Sequence, residues 1–282
     1  MKINLAKSAG FCFGVKRAID IAFQTADAGK KVYMLGDIVH NEDVVREINA
    51  AGIKKIKKLS AGGKGKILLI RAHGASQNTL ERAGKLHYKI IDATCPMVKE
   101  IHSIARGFES KGYKIIVIGD KKHDEVRGII GQLKNKAIVI ETLKDIPIDK
   151  LKRITKACVV VQSTQNLDKV AEIVTSLKHH IKELKFFNTI CRPTRMKQEE
   201  IKRIPLGNDV MIIIGSKTSA NTRRLYEISK SINKRSFWIQ SKLDLRPEWF
   251  RDTESAGVTA GASTPDNTTQ EVISRIKEIS CR

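Results

Sequence analysis

Residues 114–130 read KIIVIGDKKHDEVRGII. The apolar run KIIVI has the length and composition of a buried strand, and Gly119 ends it. A polar turn follows, Lys121-Lys122-His123-Asp124-Glu125, and then a segment opening on Val126 and Gly128. Similar apolar runs lie along the chain: KVYML (31–35), KILLI (66–70), AIVI (137–140), ACVVV (157–161), VMIII (210–214) and SFWI (236–239). Amphipathic helical stripes lie between them. Val15, Ile19, Ala22 and Phe23 form one that stops near Gly29, and Val98, Ile101, Ala105 and Phe108 form another that ends near Gly112. Val272, Ile273, Ile276 and Ile279 form the last, opened by Thr264-Pro265-Asp266. Strand–helix alternation of this kind predicts an α/β fold with mostly parallel sheets. The segment LSAGGKGK (59–66) reads as a loop and not as a domain boundary.

In open α/β sheets, ligands bind where strands end and helices begin. Six strand ends carry imidazole, hydroxyl or amide groups. They are His40-Asn41, Arg71-Ala72-His73, His123-Asp124-Glu125, Gln162-Ser163-Thr164, Ser216 to Asn221, and Gly261-Ala262-Ser263. Such a set suits a polar, anion-binding pocket, since imidazoles, hydroxyls and helix N-termini all donate to phosphate oxygens. Neither a P-loop spacing nor G-x-G-x-x-G occurs. Of the seven histidines, His40, His73 and His123 follow strands, whereas His87, His102, His179 and His180 read as surface residues. Glu125 has two readings: a carboxylate favoured at a helix N-terminus, or a proton donor for a substrate hydroxyl.

Three of the five cysteines, Cys12, Cys95 and Cys191, each sit in a short turn beside an apolar run. They are spaced by roughly 80–100 residues, about one small α/β unit. Thiolates from three such units can converge on one soft metal centre and leave a coordination position open for chemistry. The spacing predicts three lobes, 1–94, 95–190 and 191–282. Cys158, inside ACVVV, is expected in the core, and Cys281, near the end, is expected to be incidental.

The chain has 282 residues, of which 41% are hydrophobic and 29% charged, enough for a large core without a membrane span. An odd number of cysteines without an export signal predicts reduced thiols and a cytoplasmic location. The net charge of +22 fits an anionic partner, or a solvated basic surface. Charge and cysteines together leave a rival open, a basic zinc-containing nucleic-acid-binding protein, although no C-x₂-C pair is present. A second rival is a thiol redox enzyme using Cys95 or Cys191 as nucleophile.

Taken in order, AGFCFGVKRAI (9–19), LGDIVHN (35–41), RAHGAS (71–76), DATCPMV (92–98), HDEVRG (123–128), NTICRPT (188–194), GSKTSAN (215–221) and GVTAGASTPD (257–266) resemble the 4-hydroxy-3-methylbut-2-enyl diphosphate reductase family along essentially the full length. The resemblance implies three small α/β lobes in a pseudo-threefold trefoil around a central [4Fe–4S] cluster, one per chain. Its ligands would be Cys12, Cys95 and Cys191, with a fourth iron open to the substrate hydroxyl. It implies reductive dehydration of (E)-4-hydroxy-3-methylbut-2-enyl diphosphate to isopentenyl and dimethylallyl diphosphates, the last step of the non-mevalonate pathway. The electron donor would be a ferredoxin or flavodoxin, with no nucleic acid and no membrane involved. By the same resemblance His40, His73, His123, Ser219, Asn221 and Ser263 would bind the diphosphate, Glu125 would supply protons, and Ser163 would lie near the substrate hydroxyl. Three positions depart from the family pattern. Ser163 stands where threonine is usual, Ala220 replaces a serine, and Asp124 replaces a proline.

Overall fold

The structure, a computed structural model, describes residues 1–27 and 29–280. Cys281 therefore lies outside the described residues. In chain order the first elements are β1 (Lys2–Leu5), α1 (Phe13–Ala26), β2 (Lys31–Leu35), α2 (Glu42–Ala50), β3 (Lys54–Ile56), β4 (Lys66–Ile70), α3 (Gln77–Lys85) and β5 (Lys89–Asp92). Next come α4 (Pro96–Ser110), β6 (Lys114–Ile118), α5 (Asp124–Ile130), β7 (Ile138–Ile140), α6 (Ile148–Leu151), β8 (Lys156–Val161), α7 (Leu167–Lys178) and β9 (Glu183–Phe186). The last are α8 (Arg192–Ile201), β10 (Val210–Ile214), α9 (Ala220–Ile232), β11 (Ser236–Ile239), β12 (Ser255–Ala260) and α10 (Asp266–Ser280). No helix among the described residues is long and apolar enough to cross a membrane.

The strands form three four-stranded sheets, ordered β3-β2-β4-β5, β7-β6-β8-β9 and β11-β10-β12-β1, and every pairing is parallel. The expected α/β class with mostly parallel sheets is borne out. Each sheet has the same order: its first and third strands are central, its second and fourth are edges. In the third sheet the fourth place is taken by β1, which pairs with β12 in the register Lys2↔Ser255 to Leu5↔Val258. The N-terminal strand thus belongs with the last third of the chain, where the cysteine spacing had put it with residues 6–94. Cys95 and Cys191 follow the last strand of their sheets, β5 and β9.

Contacts divide the chain into two compact units. The first comprises Met1–Val15, His40–Val44 and Arg192–Arg282; the second comprises Lys16–Val39 and Val45–Cys191. In the first unit, Val210, Ile212, Ile214, Val258 and Ala260 pack with Val272 and Ile276 of α10, while Met211 and Ile213 face Leu225 of α9 on the other side. In the second, Ile116, Ile118, Val159 and Val161 pack on Val170, Ile173 and Leu177 of α7, and Ile115, Val117, Cys158 and Val160 face Ile101 and Ala105 of α4. The period of two along each strand therefore fills two helical layers, as parallel sheets require. Cys158 is fully buried as expected, and burial pushes its thiol up to about 12.

Candidate active site

All six polar strand ends singled out from the sequence follow central strands. His40 and His73 come after β2 and β4, His123 and Ser163 after β6 and β8, and Ser219 and Ser263 after β10 and β12. The central pair is where the strand order reverses, and the crevice beyond it is the usual binding place in such sheets. The cysteines hold a second common position. Each follows the edge strand beside the third strand, and its backbone N–H donates to the loop after that neighbour. Cys12 donates to Ala262 O at 3.0 Å, Cys95 to Ala72 O at 3.0 Å and Cys191 to Ser163 O at 3.1 Å. All three are reduced and half-buried, and each precedes a helix.

Within the second unit the expected site residues form one chain of contacts. Ala72, which accepts from Cys95, precedes His73, whose ring meets that of His123 edge-on at 5.4 Å between centroids. His123 caps α5, and its Nδ1 accepts from the Glu125 N–H at 3.2 Å. That bond directs the neutral ring's proton to Nε2, the nitrogen able to donate to an anion. Glu125 is 2% exposed. Its Oε1 accepts from the Ser163 N–H at 2.6 Å, and its Oε2 accepts from Ser163 Oγ at 2.8 Å. Burial pushes the Glu125 carboxyl up to about 7; the two Ser163 bonds oppose this and Asp120 adds to it. A carboxyl placed so near neutrality, beside a hydroxyl, is suited to hand over a proton. The loop holding Ser163 is ordered by Gln162, which accepts from the Asp120 N–H at 2.8 Å and donates to Thr164 Oγ1 at 3.1 Å.

Within the first unit, Ser263 Oγ donates to His40 O at 2.9 Å, tying the β12 loop to the His40 segment. Ser219 caps α9, accepting from the Thr222 N–H at 3.3 Å, and Ala220 begins the helix. Ser216 Oγ donates to Glu42 at 2.8 Å and accepts from Thr218 Oγ1 at 2.8 Å. Asn221 is buried, yet neither Oδ1 nor Nδ2 has a hydrogen-bond partner among the described residues. An unsatisfied buried amide is costly and points to a ligand that completes it.

The structure corrects one expectation. His102 is not a surface residue but lies buried on α4, where burial, with Arg106 nearby, pulls its imidazole down to about 4. Its Cε1 would lie 2.7 Å from a Cβ at Gly74, whose φ is +79°. The glycine of RAHGAS is thus required both for the turn after His73 and for the histidine beneath it. Sequence reading also missed Lys197. It is an ordinary-looking lysine in a basic chain, but it is buried on α8 with its Nζ donating to Ser8 O, Gly10 O and Ala260 O. The departure at Asp124 has a partner: its Oδ2 lies 2.6 Å from Arg71 Nη1.

The family model described as LytB protein matches residues 3–277. Curated proteins named 4-hydroxy-3-methylbut-2-enyl diphosphate reductase are similar over nearly full length. One from Aquifex aeolicus (strain VF5) is 42% identical over 281 residues, covering 98% of this chain and 96% of its own. One from Geobacter sp. (strain M21) is 38% identical over 279 residues, covering 99% and 98%. A solved (E)-4-hydroxy-3-methyl-but-2-enyl diphosphate reductase, described as the terminal enzyme of the non-mevalonate pathway, is 41% identical, with a TM-score of 0.72 over 99% of this chain and 100% of that one. A Plasmodium falciparum reductase structure is 30% identical, with a TM-score of 0.89 over 97% and 87%. The fold, the polar loops on the central strands and the full-length match agree: this chain belongs to the LytB protein family of reductases.

Proposed function

We propose that this chain catalyses the reductive dehydration of (E)-4-hydroxy-3-methylbut-2-enyl diphosphate to isopentenyl and dimethylallyl diphosphates. The observation that carries the proposal is the buried Glu125 carboxyl hydrogen-bonded to Ser163 through both oxygens, in a chain similar throughout to reductases of that name. Breaking the C–O bond, releasing the oxygen as water and forming a C–H bond in its place takes two electrons and two protons, and one C=C bond remains in either product. One proton leaves with the oxygen, and the other joins either end of the allylic carbons, which accounts for two products.

Three reduced cysteines in the same position of three like sheets, without a C-x₂-C pair, fit an iron–sulfur cluster better than a structural zinc site. Cys12, Cys95 and Cys191 would hold one [4Fe–4S] cluster. When bound, the cluster supplies the electrons and a Lewis-acidic iron for the departing oxygen. The protein's own groups do the rest. Glu125, protonated near neutrality, passes its proton through Ser163 Oγ, which donates onward as it accepts. His123 and His73, with His40, Ser219, Asn221 and Ser263, donate to the diphosphate. The orphaned Asn221 amide gains partners there. Electrons come from a ferredoxin or flavodoxin; the net charge of +22 favours docking of an acidic donor.

The rival zinc-holding nucleic-acid binder is not favoured, since the family match runs over residues 3–277. Anaerobic purification, iron and sulfide quantification and an assay with the hydroxylated diphosphate test the proposal. About four irons per chain and formation of both products are expected, as the cluster type requires. A colourless, iron-free and inactive protein after reconstitution would overturn it.

A further inference from the structure

Lys197 is 3% exposed, and the proton chemistry does not use it. Its Nζ donates to Gly10 O at 3.1 Å, to Ala260 O at 3.1 Å and to Ser8 O. A neutral amine has two N–H donors, whereas an ammonium has three. Three converging carbonyls therefore select the charged form. Burial works against that charge and draws the group down to about 8, while Cys12, Glu200 and Asp266 hold it up.

On the same helix, three residues on, Glu200 accepts from the Lys7 N–H at 2.6 Å, the Ser8 N–H at 2.9 Å and Ser8 Oγ at 2.5 Å. The donors and acceptors of the loop between β1 and Cys12 are thus gripped by one cation and one anion of α8. Gly10 sits in that loop at φ +89°, and a Cβ there would strike the Asp266 carboxylate. Beyond it, the Cys12 N–H is fixed to Ala262 O, two residues after the carbonyl of Ala260 that Lys197 also holds. The three carbonyls select the ammonium, but a buried positive charge remains expensive to desolvate, and neutral carbonyls offset only part of that cost. Cys12, Glu200 and Asp266 hold the charge here, and of these Cys12 is the proposed cluster ligand, in the loop whose Gly10 carbonyl Lys197 holds.

We infer that Lys197 is a positioning residue for Cys12, one that also sets a fixed positive charge beside the thiolate and thereby raises the reduction potential of the iron–sulfur cluster. This rests on the proposed ligation by Cys12. A nearby cation favours the more negatively charged, reduced state, and net local charge is one of the levers on cluster potential.

The experiment is an anaerobic, EPR-monitored redox titration of the reconstituted full chain, with iron counted in the same samples. Lys197→Met is expected to keep its iron but show a more negative midpoint, and Lys197→Arg to stay near wild type. Glu200→Gln releases the same loop while removing an anion, so its midpoint should not move in the negative direction. A wild-type midpoint in an iron-replete Lys197→Met protein overturns the inference and leaves the cluster assignment standing. A negative shift in Glu200→Gln equal to that of Lys197→Met overturns it too, since loop position alone would then explain both. Should Lys197→Met fail to fold or hold iron, Lys197→Gln, which retains an amide donor for the carbonyls, takes its place with the same expectation and the same refuting result. Loss of iron from Lys197→Gln as well as from Lys197→Arg overturns it, because the charge would then have no separate role. Full iron content in Cys12→Ser would instead remove the ligation on which the inference rests, a separate and distinguishable failure.

Discussion

Glu125 and Lys197 are both ionisable side chains on helices, both almost completely buried, and they are held by opposite kinds of partner. Burial drives each toward its neutral form, the carboxyl up to about 7 and the ammonium down to about 8. Their partners differ. Glu125 receives two hydrogen bonds from a single residue, Ser163, one of them from a hydroxyl that can give or take a proton. Lys197 meets three backbone carbonyls that can only accept. The first arrangement leaves a proton able to move; the second ties the proton down. Desolvation alone therefore does not mark a catalytic group: the exchangeability of its hydrogen-bond partners does.

The largest effect should come from removing that mobile proton. Glu125→Gln keeps the shape of the side chain but cannot act as an acid, and turnover should fall roughly a hundredfold or more while iron content is unchanged. Near-normal product formation in this variant would remove Glu125 from the proton path. The wild-type rate should decline as pH rises through about 7, where the carboxyl loses its proton. Stability gives an independent reading. The folded-state pKa lies above the unfolded value, so the folded protein binds the extra proton. The associated stabilisation is complete below the ordinary carboxyl value of 4.5 and is lost as pH rises through about 7. Denaturant titrations across that window should find Glu125→Gln gaining on the wild type as pH rises. A constant difference would show that burial does not shift this group.

Asn221 sharpens the comparison from the ligand side. Its buried amide has no partner among the described residues, so Asn221→Ala should not destabilise the unliganded protein and should relieve part of the cost of an unsatisfied polar group. A lost hydrogen bond to a charged group is worth about 1.5–3 kcal/mol, so KM should rise roughly ten- to a hundredfold. Severe destabilisation with an unchanged KM would make the amide structural. Ser163→Ala should have a smaller effect, about tenfold in turnover, because the backbone N–H to Oε1 remains. Without the hydroxyl that favours the ionised form, the Glu125 carboxyl should titrate still higher. The alkaline limb of the pH–rate profile should then shift upward, and Ser163→Thr should restore both. A limb that does not move would uncouple Ser163 from the acid.

What could be read from the sequence followed burial. KILLI, KIIVI, ACVVV and VMIII are central strands with nearly every side chain enclosed, and their composition announces it. KINL, KKI, KIID and ELKF went unread because each is an edge strand, short and half-exposed, with lysine or glutamate at the rim. Three of these four lead into Cys12, Cys95 and Cys191. The turns bearing the thiols were therefore evident, while the rule that places them, an N–H to the loop after the adjacent central strand, was not. The same limit hid His102 and Lys197. Nothing in a local window separates a polar residue on the inner face of a helix from one in water when its partners are carbonyls or glycines distant in sequence.

The smallest expected effect belongs to a pair that is only partly shielded. Arg71 and Asp124 lie 2.6 Å apart, with 19% and 26% of their side chains exposed, and they tie the loop leading to His73 to the first turn of α5. Water screens such a pair, so its contribution should be about 1 kcal/mol or less. Position gives it leverage, because Asp124 stands between His123, which caps the helix, and Glu125. Asp124→Asn should lower the melting temperature slightly and raise KM a few-fold, with kcat nearly unchanged, since the imidazoles would be held less firmly while the acid keeps both Ser163 bonds. Asp124→Pro places proline at the first helical position, where a fixed φ suits the helix and no N–H is needed. It should recover the wild-type KM without the ion pair. A fall in kcat common to both variants would instead mean that the Asp124 charge acts on the Glu125 proton, and that exposed and buried carboxylates in this turn work as one system.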